Sequence, residues 1–291
     1  MQVSIGIMAY NEEANIIQLI HSIQNQKLDK ISINKIIIVS SGSTDNTNML
    51  VRELSKKDKR INLILEKNRK GKYSAINKFL KRSKSRICVL CSADLKLKED
   101  AIEKLCLPFF NRNIGIVSSR PIPVNKNKGF IGYTVNLQWY IHHKISLNKP
   151  KFGELIAFRK LFDRIEKTAV DEEYIAMLIL NKFKMQGYYA QNSILYNKGP
   201  ETLSDIIRQQ RRIHAGHISL GIKNNYLPSS NLRLILFSIL SEPSILIKGH
   251  IKFIFAICVG IISRFLGFYD LFIKRNKHFS WDIAKSTKRL S

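Results

Sequence analysis

Four short polar clusters, each at the end of an apolar run, hold the residue types that could do chemistry. "AYNEE" (residues 9–13) follows 3–8, and "VSSGSTDNT" (39–47) closes the run Ile36-Ile37-Ile38. "EKNRKGKYSAIN" (66–77) follows 61–65, and "SADL" (92–95) follows 86–91. Taken singly, each cluster reads as a turn with a helix cap, since Asn11, Gly42 and Asp45 suit turns and caps. Taken together they read as a site, because ligands of open α/β sheets bind beyond the carboxyl ends of the strands. The acid of "SADL" could anchor a divalent cation, and Arg69 and Lys72 could face phosphates. Mg²⁺ characteristically binds through one or two carboxylates plus substrate phosphates, so a nucleotide diphosphate fits this set. Neither the dinucleotide G-x-G-x-x-G nor the P-loop pattern is present.

The elements that must carry these clusters alternate strand and helix. Strands are expected at 3–8, 35–39, 61–65 and 86–91, and helices at 12–26, 44–56 and 73–83. Short apolar strands separated by helices predict an α/β fold, a doubly wound and mainly parallel sheet flanked by helices. Residues 115–158 read as mixed, with 120–129 as a loop; 171–183 and the strongly basic 204–218 read as helices. A domain over 1–225 is expected, followed by an apolar and basic helical tail over 226–291.

"AYNEE", "IIIVSSGSTDNT", "GKYSAIN", "SAD", "VDEEY" and "QQRRIHAG" resemble, in order and rough spacing, the motifs of family-2 glycosyltransferases over about residues 1–220. That resemblance implies a GT-A fold and inverting, metal-dependent transfer of a sugar from a nucleotide-sugar to an acceptor hydroxyl. It places Ala9, Tyr10 and Glu12 along the nucleotide, and Ser40 and Ser41 where the family usually has two aspartates. It implies that Ser92-Ala93-Asp94 is the D-x-D turn, with Asp94 holding Mg²⁺ or Mn²⁺ and Lys72 nearby. Asp171 is the implied base, with Glu172 as the substitute, since adjacent helical side chains differ by about 100° and only one can face the site. Gln209 and Arg212 match Q-x-x-R-W near the diphosphate and acceptor, with His214 beside them; Glu154 of "GELIAF" is an implied substrate contact. Ile213 stands in place of the signature Trp, which weakens a processive-synthase reading. The Ser-for-Asp changes leave a second reading open, a silent relative that only binds a nucleotide-sugar.

Composition bounds the partners. The net charge is +26, from 48 Lys and Arg against 22 Asp and Glu, which predicts attraction to phosphates or an anionic membrane. Clustered basic and exposed aromatic residues, the mark of a nucleic-acid binder, are missing, so no nucleic-acid partner is expected. Cys88 and Cys91 have metal-like spacing but lie in an apparent strand with no second pair, and are read as core thiols. His142 and His143, near Trp139 and Tyr140, lack ligand spacing and suit an acceptor-side surface. The opening "VSIGIM" predicts no signal peptide and a catalytic face in the cytoplasm. Residues 253–273 could cross about 30 Å of hydrocarbon at about 1.5 Å per residue. Arg264 would cost roughly 2.5–3.5 kcal/mol there. An in-plane helix, a spanning helix and a packed helix therefore remain open, with membrane association expected from the basic flank at Lys274 and from Trp281. The acceptor is expected to be a glycan or lipid-linked.

Overall fold

The computed structural model describes residues 1–224, 250–274 and Thr287. The apolar run at 232–240, Glu242-Pro243 and the flank from Arg275 through Trp281 lie outside the described residues. Runs of Ile and Val form β1 (Gln2–Ala9), β2 (Ser32–Ser41), β3 (Ile61–Glu66) and β4 (Ile87–Ser92). All four pair in parallel, in the order β3-β2-β1-β4. They are joined by α1 (Ile16–Gln24), α2 (Thr47–Lys57) and α3 (Lys72–Arg82).

Both faces of these strands are apolar because helices cover both. On one face Ile5, Ile7, Ile36 and Val89 pack with Ile16, Leu19, Ile20 and Val51; on the other, Ile37, Val39 and Leu90 pack with Ile76 and Phe79. Cys88 and Cys91 are buried in these two opposite layers, the alternation expected of a strand. Gly6 gives the Phe79 ring its room: a Cβ there would lie 2.6 Å from the ring.

The second half of the sheet changes direction. β7 (Leu155–Arg159) is antiparallel to β4 and to β6 (Ile114–Pro123); β8 (Gln186–Asn197) is parallel to β6; and short β5 (Leu95–Leu97) is antiparallel to β8. The eight-stranded sheet is therefore mixed, its all-parallel half being the one with the polar loops. β6 runs on into part of the expected loop at 120–129. The 115–158 region also holds a long helix, α5 (Gly129–Asn148), preceded by α4 (Ala101–Cys106). The expected helix over 171–183 is split into α6 (Asp171–Met177) and a π-helical turn, Leu178–Lys182.

Two more helices complete the described fold, α7 (Leu203–Asn224) and α8 (His250–Phe272). Val259, Ser263, Gly267 and Asp270 form one buried stripe of α8, the spacing of a helix with a single packed face. The buried Asp270 carboxylate receives a bidentate hydrogen bond from the Arg211 guanidinium of α7. At Gly267 the helices touch backbone to backbone, since a Cβ would fall 2.7 Å from the Arg211 carbonyl oxygen. Elsewhere α8 presents Ile254, Ile261, Phe265 and Phe268 outward, all more than half or about half exposed.

Candidate active site

Parallel register brings the carboxyl ends of β1–β4 to one edge: Ala9 lies opposite Ser40, Met8 opposite Ser92, and Ser41 opposite Glu66. β7 reaches the same edge from the other direction, so the Ser92 N–H donates to the Glu154 carbonyl at 3.0 Å. α5, α6 and α7 face this edge across a cleft of about 1010 Å³.

The first two loops are laced together. The Asn11 N–H donates to Ser43 Oγ at 3.1 Å, Glu12 N–H to Thr47 Oγ1 at 2.8 Å, and Glu13 N–H to Asp45 Oδ2 at 3.1 Å. Gly42, at φ +71°, makes the turn in a conformation other residues rarely adopt. Ala9, Tyr10, Glu12 and Ser41 line the cleft, with the Arg69 guanidinium 4.1 Å over the Tyr10 ring. Ser40 does not line it; it is buried, and its hydroxyl donates to Ser43 Oγ at 2.9 Å.

Charged groups face one another deeper in. Ser92, Ala93, Asp94 and Glu154 line the floor, and Lys72 of α3 forms an ion pair with Glu172 of α6. Burial opposes the charge on Lys72, but Glu172 and Asp171 outweigh it and push it up to about 12. Burial likewise works against ionised Glu172, and Lys72 outweighs it, holding this carboxylate below its ordinary range. Glu154 sits at φ +52°. Burial, then the charge of Asp94, pushes it up to about 7.

Asp171, the base implied by the motif match, is buried beside the cleft rather than lining it, while Glu172 lines it. Neither Asp171 carboxylate oxygen has a hydrogen-bond partner among the described residues. Burial and the neighbouring Glu172 raise it to about 7.

From α7, Gln209 and Arg212 line the cleft. Burial brings Arg212 down to about 10, against the pull of Asp171, Glu172 and Glu154. His214 turns instead to α8, its Cβ 3.2 Å from where a Cβ on Gly267 would stand, and burial takes its pKa down to about 4. Trp139, His142, Lys151 and His217 line the remaining wall. The Trp139 and His142 rings meet at a tilt of 58°, with centroids 5.2 Å apart. Lys151 and His217 carried no motif; only the packing of α7 against the segment before β7 brings them in.

The donor chemistry fits a divalent cation. Among the described residues no group of three or more His, Cys, Asp or Glu could enclose a metal. Asp94, with Glu154 near enough to feel its charge, offers the hard oxygen donors that Mg²⁺ and Mn²⁺ take, and diphosphate oxygens would complete the shell.

A mixed sheet with helices on both faces, a cleft at the carboxyl edge of its parallel half, and an acidic turn facing basic loops define a GT-A-type domain. The chain belongs to glycosyl transferase family 2, whose profile matches residues 4–169. An uncharacterized glycosyltransferase of Haemophilus influenzae is 35% identical over 133 residues, which is 45% of this chain and 40% of that protein. A protein of Methanocaldococcus jannaschii is 32% identical over 130 residues, 41% of this chain and 54% of its own length. The chain thus spans about half or less of these curated relatives. Among solved structures, the mannosyltransferase PcManGT from Pyrobaculum calidifontis, in complex with GDP-Man and Mn²⁺, superposes with a TM-score of 0.60 at 20% identity, covering 94% of this chain and 81% of that one. Glucosyl-3-phosphoglycerate synthase from Mycobacterium tuberculosis, with Mn²⁺, UDP and phosphoglyceric acid, gives 0.53 at 17% identity, covering 79% and 80%. At these identities the likeness is one of fold.

Proposed function

We propose that this chain is an inverting, metal-dependent glycosyltransferase that moves a sugar from a nucleotide-sugar to a hydroxyl of a glycan or lipid-linked acceptor. The observation that carries the reading is the meeting of Asp94, Lys72 and Glu172 in one cleft at the carboxyl edge of the parallel strands. The nucleotide lies along Tyr10, Glu12 and Ser41, and its diphosphate lies between Arg69, Lys72 and Asp94. Mg²⁺ or Mn²⁺ held by Asp94 would act as a Lewis acid on the leaving diphosphate.

In the transfer, the acceptor oxygen bonds to the anomeric carbon from the face opposite the diphosphate, and the carbon–oxygen bond to the diphosphate breaks. The acceptor proton passes to Glu172, the acid of the Asp171–Glu172 pair that faces the cleft; a general base must be within hydrogen-bond reach of the proton it takes. Lys72 keeps Glu172 ionised for this role. Arg212 adds fixed positive charge where negative charge develops. Gln209, Trp139 and His142 belong to the acceptor side.

The acceptor is presented at a membrane surface. The outward face of α8 carries Ile251, Ile254, Ile261 and Phe265 at 59–67% exposure, and the chain is strongly cationic. α8 is long and apolar enough to cross a membrane. Its Asp270 is nevertheless clamped to Arg211, and a spanning helix would pull these charges apart into hydrocarbon at a cost of several kcal/mol, about the penalty of an unpaired buried charge. An in-plane helix keeps the pair and still buries the Ile and Phe side chains in lipid.

A thermal-shift screen of UDP-, GDP- and dTDP-sugars with and without Mn²⁺ tests the donor reading, because a ligand bound only by the folded state must stabilise it. Stabilisation by at least one donor, reduced in Asp94→Ala, is expected. Glu172→Gln should still bind that donor but lose transfer by about 10²–10⁴-fold. Full activity in Glu172→Gln with loss in Asp171→Asn returns the base to Asp171. Absence of any donor-dependent shift rejects the function. Sedimentation with anionic vesicles, weakened in Phe265→Ser, tests the membrane face.

A further inference from the structure

β2 ends on Ser41, at a position where the resemblance leads one to expect an aspartate. A serine hydroxyl is ambivalent, with one hydrogen to donate and two lone pairs to accept with. In this chain the ambivalence is removed from behind. Ser41 lies directly opposite Glu66 across the parallel β2–β3 register, and its hydroxyl donates to Glu66 Oε2 at 2.5 Å. The other carboxylate oxygen, Oε1, accepts from Ser74 Oγ at 2.6 Å, with Lys78 Nζ 3.9 Å away. The Glu66 side chain is 1% exposed, whereas Ser41 lines the cleft.

We propose that Glu66 is a positioning residue which, by taking the Ser41 hydrogen, fixes Ser41 Oγ as a pure acceptor toward the cleft and so selects a nucleobase that presents a ring N–H. Uracil, thymine and guanine carry such an N–H on the edge that would meet Ser41; cytosine and adenine carry an unprotonated ring nitrogen there. The buried carboxylate thus gives a neutral side chain the hydrogen-bonding polarity of an aspartate, without placing its charge in the cleft. A base that brings a lone pair instead leaves two acceptors facing each other, an unsatisfied contact costing about tenfold or more in affinity. This inference rests on the nucleotide-sugar reading above and narrows it to a class of base.

The test measures dissociation constants for UDP, GDP, dTDP, CDP and ADP at one Mg²⁺ concentration by calorimetry. The wild-type chain is expected to bind at least one of UDP, GDP and dTDP about tenfold or more tighter than CDP and ADP. In Glu66→Gln, Lys78 and Ser74 hold the amide oxygen on their side, so the amide N–H₂ faces Ser41 and donates to it. The Ser41 hydrogen is then free to turn into the cleft. Discrimination between the two groups of bases should fall to near parity or reverse, with the fold retained by circular dichroism. Ser41→Asp in the Glu66→Gln background should restore it, a rescue that a purely structural role for Glu66 would not produce. Equal wild-type affinity for both groups of bases overturns the inference alone, as does an unchanged ratio in folded Glu66→Gln. Failure of the wild type to bind any of the five nucleotides overturns the nucleotide-sugar reading with it.

Discussion

The stability of Asp171→Asn relative to wild type should rise with pH. Both Asp171 oxygens are buried without a hydrogen-bond partner among the described residues, and the carboxyl is raised from 3.8 to about 7. The folded state therefore keeps a proton that the unfolded chain has already released at pH 5. Stability conferred by such a group falls as the pH climbs toward the folded value and is flat beyond it. Each pH unit in that window is worth about 1.4 kcal/mol, so between pH 5 and pH 8 Asp171 alone withdraws about 2–3 kcal/mol. Glu154 is displaced in the same sense, so the wild-type slope by itself would not isolate Asp171. The difference between wild type and Asp171→Asn cancels most of the Glu154 slope and reports the Asp171–Glu172 pair, because the packing cost of a buried amide is the same at both pH values. Urea unfolding followed by tryptophan fluorescence at pH 5 and pH 8 gives the four free energies. The variant should gain about 2 kcal/mol on wild type between the two pH values. A gain that is independent of pH, or one that is larger at pH 5, would refute the claim that burial and the neighbouring Glu172 raise this carboxyl.

Arg211→Ala leaves the Asp270 carboxylate buried without its bidentate partner, a change that costs about 3–5 kcal/mol. Faster amide exchange along α8 should report it, with Asp270→Asn milder. Gly6→Ala drives a methyl against the Phe79 ring and should lower the unfolding free energy by about 1–3 kcal/mol, measured in the same urea experiment.

The parallel half of the fold was readable from sequence because each of its strands holds a short, mainly apolar run closed by a polar cluster. Strands β1 to β3 extend the expected segments by a few residues, and β4 is shifted by one. The antiparallel half was not readable. "QGYYAQNSILYN" of β8 mixes buried and exposed residues without clean alternation, and α5 has apolar residues distributed around its circumference, so no single face announces a helix. At the site, loop membership was legible and side-chain direction was not. Asp171 and Glu172 are adjacent, and only the placement of α6 decides that Glu172 faces the cleft. Glu66 gave no signal of its own; its role depends on the register that sets it against Ser41. Arg264 and Asp270 register in the sequence as charges interrupting an apolar stretch. In the fold Asp270 is the anchor that holds this stretch to α7.

Adjacent arginines of α7 serve two neighbours: Arg212 lines the cleft, and Arg211, which also borders it, grips α8. One helical backbone carries both, and at Gly267 a Cβ would meet the Arg211 carbonyl oxygen at 2.7 Å, so α7 and α8 meet there with no side chain between them. The helix with the exposed apolar face is therefore joined to the cleft wall through one turn of α7, the turn that carries Gln209, Arg211 and Arg212.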